Sequence, residues 1–542
     1  MADRIASQPG PSTPPSTVDA RTIVNESEGD RTRDVLALER SVMAGGSPYH
    51  IGTDGEAGTL EKRMTVDFGD GPEEVIMVEW LPDDPECPFN WSRSRKVVTV
   101  FCTCFFAAIT CFNATSVGVI ATWAIPWFHT DQVGFMLSLL VYLMAVAWTP
   151  LILAPLSELF GRNQIYIYVG GLFAILFIPQ ALTRNYSAIL ATRWFQGMAA
   201  SVANSMVGGT IADIYRAESR GVGMSVFSLA IFAGQSLGSV IFAWVGQILG
   251  MKWVYGMQAI FSGLSLALNL ALLKETRGSV LLQRRAKRLT KKTGVKHLCA
   301  SQLEKKTLLE MVKGSAIRPL QYLFTEPIVS AISLWIGFAW GAIFLGTSST
   351  LLVFAQYTDN VGLQGTAEIT MLVGALLGFL SNFHMESIYR RAGAKSPTGR
   401  AAPEVRLYWA ASGGLLFPLS LFVYGWTGRP EIHWIVPAIF LSLSNWGIFV
   451  MYSGVFNYLA DAYEMYSSSA QASQSFTRNI FSSTLPLCAH KMYTSMGYAK
   501  ASTMVGAIGL VLAITPFAII KYGPKLRARS KVARAIASGK IQ

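Results

Sequence analysis

Two arginines, Arg193 and Arg478, stand inside long apolar stretches of this chain with no nearby carboxylate to pair with. An ionisable group in such a setting is costly and marks a functional position by default. Arg193 lies about six residues, so about 9 Å, inside the end of its stretch, and Arg478 lies about eleven residues in, close to the middle. Asp213 is about 30 Å from Arg193 along the same helix, and Glu464 about 20 Å from Arg478, so neither can neutralise its arginine. Asp131, at the start of another stretch, is the one acid expected near Arg193. Arginines without deep acids make a cavity electropositive, and a guanidinium binds a carboxylate bidentately. The bland alternative is that backbone carbonyls satisfy Arg478 and the residue only stabilises a helix pair. Asn113, Gln235, Trp340, Asn445, Trp446 and Asn457 are the amides and aromatics that could line the rest of a small-molecule pocket.

The elements that must position these residues are twelve apolar stretches, six on each side of a basic connector. A run of about 20 apolar residues crosses the bilayer as a helix. The first six fall at 97–120, 132–154, 164–183, 188–212, 223–246 and 252–273. The second six fall at 327–356, 366–386, 405–425, 433–459, 467–489 and 501–521. The domain reading is therefore an unstructured polar tail over 1–95, a six-helix bundle over 96–273 and a connector over 274–326. A second bundle over 327–521 and a short tail over 522–542 complete it. The expected class is an all-α membrane protein.

Composition agrees. The 542 residues are 51% hydrophobic and only 14% charged, against about 25% charged in an ordinary soluble domain. The net charge of +12 comes from Lys and Arg gathered at the ends of alternate stretches and in the connector. That asymmetry places both termini in the cytoplasm, and no nucleic-acid reader motif accompanies it. Cys102, Cys104, Cys111 and Cys488 fall in apolar stretches, and no C-x-x-C pair suggests a metal site. No cleavable signal peptide is expected, because the first forty residues are polar. No nucleophile–base pair, metal cluster or phosphate loop indicates an enzyme, and no cofactor is expected.

Between the second and third stretches runs Leu156-Ser157-Glu158-Leu159-Phe160-Gly161-Arg162. Glu158 and Arg162 lie about one turn apart at the membrane face, with Gly161 permitting a tight turn. Such a cluster can hold neighbouring helix ends in one conformation and release them in another. Further on come Arg193-Trp194-Phe195-Gln196-Gly197, a pre-membrane Pro82-Asp83-Asp84-Pro85 with Asn90-Trp91-Ser92, and Tyr458-Leu459-Ala460-Asp461-Ala462-Tyr463 leading to Phe476-Thr477-Arg478-Asn479.

By these segments the chain resembles the major facilitator superfamily, and within it the fungal drug:proton antiporters with twelve spans. Glu158 stands where aspartate is commoner, and Ala154 where glycine is usual. The resemblance implies two pseudosymmetric six-helix bundles with a substrate site near mid-membrane. It assigns Glu158, Gly161 and Arg162 to conformational gating, and adds Gln196 to the candidate substrate-binding residues. The fifth span departs from the antiport glycine–proline pattern: Gln235 and Ser239 replace prolines, which should leave that helix unkinked. Proton coupling is left open, with Glu158, Asp131 and His384 as the groups that could titrate. The expected role is export of a small organic molecule, a secondary metabolite, organic acid or xenobiotic, by a monomer in the cell membrane. Uptake or facilitated diffusion of an organic anion is the alternative, and a non-transporting receptor on the same fold the reading from another class.

Overall fold

The computed structural model describes residues 59–67, 72–216, 219–303, 308–396, 401–463 and 466–529. They fall into two compact units, a small one holding the pre-membrane segment with residues 278–305 and a large helical one beginning at Trp91.

In the small unit β1 (Thr59–Asp67) and β2 (Pro72–Trp80) pair antiparallel, with Thr59 opposite Trp80. The short strand β3 (His297–Leu298) joins β2 in parallel, His297 opposite Ile76. The expected unstructured tail over 1–95 is thus corrected for the described part. Val75, Ile76, Met77 and Val78 are consecutive, buried strand formers, a local signal that average composition hides. Residues 1–58 lie outside the described residues. Within the connector, Gly278–Thr293 is a helix of the small unit, and Leu308–Thr325 is a helix of the large one. Two basic groups of the first helix are met by acids of the pre-membrane stretch. Arg285 pairs with Asp84, and Arg288 with Glu86 at 3.3 Å. Asn90 Nδ2 donates to the carbonyls of Pro82 and Asp84, so the Pro-Asp-Asp-Pro segment is a folded clasp.

The large unit contains α1 (Arg93–Phe128), α2 (Gln132–Leu153), α3 (Arg162–Leu182), α4 (Tyr186–Ile214), α5 (Arg220–Leu249) and α6 (Met251–Leu272). Its second half has α7 (Pro327–Phe354), α8 (Val361–Ala394), α9 (Pro403–Thr427), α10 (Ile435–Tyr463), α11 (Ser467–Met496) and α12 (Tyr498–Ala528). Ten of these are long and apolar enough to cross a membrane; α4 and α11, which carry Arg193 and Arg478, are the two that are not. Large side chains on the outside remain bare, Tyr168 at 74%, Val511 at 66% and Ile514 at 64% exposure. A contiguous apolar exterior of this kind needs lipid as its solvent.

Close backbone approach organises both halves alike. A Cβ on Gly234 or Gly238 of α5 would stand 2.3 Å from the carbonyl oxygens of Ala108 and Phe112 on α1. A Cβ on Gly341 of α7 would stand 3.0 Å from the Phe481 carbonyl of α11. Gly197 of α4 meets the Tyr142 carbonyl of α2, and Gly374 of α8 meets the Ser442 carbonyl of α10. The first–fifth and second–fourth contacts of one half recur as first–fifth and second–fourth contacts of the other, which is the signature of two pseudosymmetric bundles. Small residues are what let helix backbones meet in lipid. The fifth helix is uninterrupted, with no proline inside.

Gly238→Val should lower the melting temperature sharply or prevent accumulation of folded protein, since overpacking costs about 1–3 kcal/mol even without a backbone collision. Gly263→Ala, which meets nothing within 4 Å, should leave it unchanged; thermal unfolding in detergent reads both.

Candidate functional site

At the centre, where the two halves meet, a cavity is lined by Thr110 and Cys111 of α1, Tyr142 of α2, Gln235 of α5, Trp340 of α7, and Arg478 and Asn479 of α11. Arg478 is 5% exposed. Its guanidinium lies 4.7 Å from the Trp340 ring centre and 5.5 Å from that of Tyr452, and Nη2 donates to Ser475 Oγ at 3.2 Å. Among the described residues no carboxylate pairs with it. Aromatic faces supply only part of the stabilisation an opposite charge would give. Around it the Gln235 Oε1, the Trp340 Nε1 and the Asn479 Nδ2 are buried without a partner among the described residues. Buried polar atoms of this kind are suited to hydrogen-bonding a ligand.

The other sequence candidates separate into neighbourhoods. Arg193 is fully buried within the first half. Its Nη1 donates to Asn113 Oδ1 at 2.9 Å, and the rings of Tyr142 and Tyr255 lie 5.9 and 5.8 Å away. Its Nε has no hydrogen-bond partner among the described residues. Asp131, expected beside it, instead caps α2 by accepting from the Gly134 amide at 2.9 Å. Gln196 accepts from Gln180 at 2.9 Å, tying α4 to α3. Asn445 lines a separate cavity inside the second half together with Glu368. Trp446 donates to Ser381 at 2.9 Å and packs edge-on against Trp409, and Asn457 is half-buried on α10. Thus Gln235, Trp340 and Arg478 share one cavity; the other six candidates do not line it.

The reading that no acid lies well inside a span is corrected. Asn360 caps α8 by accepting from Leu363 N at 3.2 Å, so the helix begins earlier than hydropathy suggests and Glu368 falls within it. Tyr452 and Asn479 were also missed, although Tyr452 lies two helical turns beyond Asn445 and so on the same face, and Asn479 adjoins Arg478.

At the face of the membrane unit that carries the basic loops, Arg162 pairs with Asp213 at the end of α4, not with Glu158. The Glu158 carboxylate is 3.7 Å from Arg277. Gly161 has φ +96°, and a Cβ there would stand 2.3 Å from Glu275. Glu275 Oε1 accepts from the amides of Arg162, Thr276 and Arg277 at 2.9–3.0 Å, holding the start of α3 to the end of α6. The second half repeats the device. Arg406 bonds Glu386 at 2.7 Å and Asp461 at 3.1 Å, and Glu404 pairs with Arg527 at 2.8 Å.

The halves touch near both faces. Trp148 meets Phe476 at 4.9 Å and Asn382 bonds Ser225 at 3.3 Å on the basic side. Ser236 Oγ donates to the Glu368 carbonyl at 2.7 Å and Trp244 Nε1 to Thr366 at 3.0 Å on the opposite side. The conformation described is therefore closed around the central cavity.

Two pseudosymmetric bundles, mirrored ion clusters at one face and a polar centre define a membrane carrier. Residues 103–486 match the family model described as Major Facilitator Superfamily. The chain is 33% identical over 471 residues to the MFS-type efflux pump MFS2 of Trichophyton rubrum, covering 86% of this chain and 79% of that protein. It is 32% identical to the MFS-type transporter penM of Penicillium rubens, over 89% and 95% of the two chains. It is also 32% identical to the multidrug transporter FLU1 of Candida albicans, over 83% and 75%. Among solved structures, a peptide transporter POT (E310Q mutant) in complex with alafosfalin superposes with TM-score 0.58 at 14% identity, over 82% of this chain and 98% of that one. The human organic anion transporter MFSD10 does so with TM-score 0.52 at 16% identity, over 79% and 100%. This chain belongs to the major facilitator superfamily and groups within it with the fungal efflux pumps.

Asp213→Asn should destabilise the protein by about 3–5 kcal/mol, because it leaves Arg162 buried without its counter-charge. Adding Arg162→Gln should recover part of the loss, and melting temperatures of the two single variants and the double variant measure the coupling.

Proposed function

We propose that the protein is a secondary active carrier that exports a small organic molecule bearing an anionic group, by alternating access through the central cavity. The observation that carries this reading is Arg478: buried, central, sandwiched by Trp340 and Tyr452, and without a carboxylate partner among the described residues. Gln235 and Asn479 supply further polar contacts, and the aromatic walls suit an apolar scaffold. The relatives named as efflux pumps support the outward direction. Under this reading the basic face is cytoplasmic, both termini lie there, and the carrier works as a monomer in the cell membrane. Trp148–Phe476 and Ser225–Asn382 then close the cytoplasmic side and part when it opens, while Arg162–Asp213 and Arg406–Glu386–Asp461 brace the helix ends within each half. Secondary metabolites and acidic xenobiotics fit the cavity's charge equally. A proline-free fifth helix favours, as a second reading, a passive carrier for the same anions.

Deleting the gene should raise the intracellular pool of the exported metabolite and lower its level in the medium, as read by comparing the two metabolite profiles. The reverse shift would assign uptake instead.

In cells expressing the protein, Arg478→Gln should slow efflux of carboxyfluorescein by about 10–100-fold, the equivalent of one charge-assisted contact of about 1.5–3 kcal/mol. Efflux of a neutral dye such as Nile red should change far less. Equal loss of both dyes would remove the anion assignment.

A further inference from the structure

The second half of the protein encloses a carboxyl group that the carrier reading does not use. Glu368 is 4% exposed and lines a cavity between α7, α8, α9, α10, α11 and α12, separate from the Arg478 cavity. Among the described residues its Oε1 has no hydrogen-bond partner, and the Thr350 hydroxyl is the one neutral group set against both the carboxyl and the Tyr424 hydroxyl. No residue lining this space is cationic. The titratable neighbours are Tyr424 from α9 and Tyr493 from α11. The other polar side chains of the lining are neutral, Ser349 and Thr350 from α7 and Ser444 and Asn445 from α10, and α12 contributes the apolar Val505. A carboxylate enclosed without a counter-charge is prohibitively costly, whereas a neutral carboxylic acid is not.

Position adds a route. Glu368 sits where α8 is interrupted, between Val361–Thr366 and Ile369–Ala394. Its own carbonyl accepts the Ser236 hydroxyl of α5, and Trp244 of α5 bonds Thr366, two residues earlier. The peptide bearing the acid is therefore part of the contact that shuts the cavity on the face opposite the basic loops.

We propose that Glu368 is a proton-binding site of the carrier: its carboxylate takes one proton from the aqueous side when the α5–α8 contact parts, becomes a neutral acid, and holds that proton through the closed state. The proposal rests on the carrier reading for its role in transport, but the protonation itself does not depend on which substrate is carried.

The test uses the full chain reconstituted in liposomes. Infrared difference spectra between neutral and alkaline buffer should show a carboxylic-acid C=O band that Glu368→Gln removes and Glu368→Asp retains in shifted form. Identical spectra for wild type and Glu368→Gln would overturn the proposal. In the same vesicles an imposed pH gradient should drive carboxyfluorescein accumulation by the wild type. Glu368→Gln should lose that accumulation yet keep dye-for-dye exchange. Retained gradient-driven accumulation, or loss of exchange together with accumulation, would also overturn it. So would an unchanged band accompanied by lost efflux of the cationic dye rhodamine 6G, which would make the group a cation subsite. Absence of any carboxyfluorescein flux in the wild type counts against the anion-carrier reading alone, and the infrared band then decides on Glu368.

Discussion

Burying charge away from water governs this molecule more than any other single constraint. Each buried ionic group answers it differently. Arg162 and Arg406 are met by carboxylates from helices that their own helices must contact, so charge neutralisation and helix docking are the same event. Arg478 is met only by aromatic faces and a serine hydroxyl. Arg193 has one amide bond and two tyrosine rings. Glu368 has no opposite charge among its cavity neighbours. The compensated groups lie at a face of the bundles and the uncompensated ones lie inside, where a moving substrate or proton can supply what the protein withholds.

The same constraint separates what could be read in the chain from what could not. Arg478, Trp340 and Gln235 were legible because a polar or aromatic residue in the middle of an apolar run is conspicuous in one dimension. Asp213 was not, because its partner Arg162 is 51 residues away and only the packing of α3 on α4 brings them together. Glu275 escaped for a related reason: it acts through backbone amides across 113 residues of chain, which no residue pattern advertises. Glu368 was hidden by a boundary. Hydropathy set the start of the eighth span too late, although Asn360 followed by an apolar run is a readable helix start. The folded pre-membrane strand was masked by averaging over a long polar tail.

Pseudosymmetry explains why two halves with little obvious similarity carry equivalent devices. Glycine contacts fix the same helix pairs in both, and an arginine at the start of the third and of the ninth helix meets an acid at the end of the next. The halves diverge inside. Tyr142 belongs to both environments of the first, its ring beside Arg193 and its surface in the central cavity, with its hydroxyl fixed on the Thr110 carbonyl at 3.0 Å. The second half has instead a carboxyl-lined space around Glu368.

The two helices too polar to qualify as spans by themselves, α4 and α11, bear on how the chain reaches its membrane at all. An arginine at the centre of a span, as Arg478 is, opposes insertion by about 2.5–3.5 kcal/mol. One nearer the end, as Arg193 is, opposes it by less, so both segments gain from partners already in the bilayer. The Tyr142 carbonyl of α2, against which Gly197 of α4 is seated, and Gly341 of α7, seated near the Phe481 carbonyl of α11, are docking places on helices synthesised earlier. In the folded carrier α2 and α7 are thus the surfaces on which the two helices that bring its buried arginines come to rest.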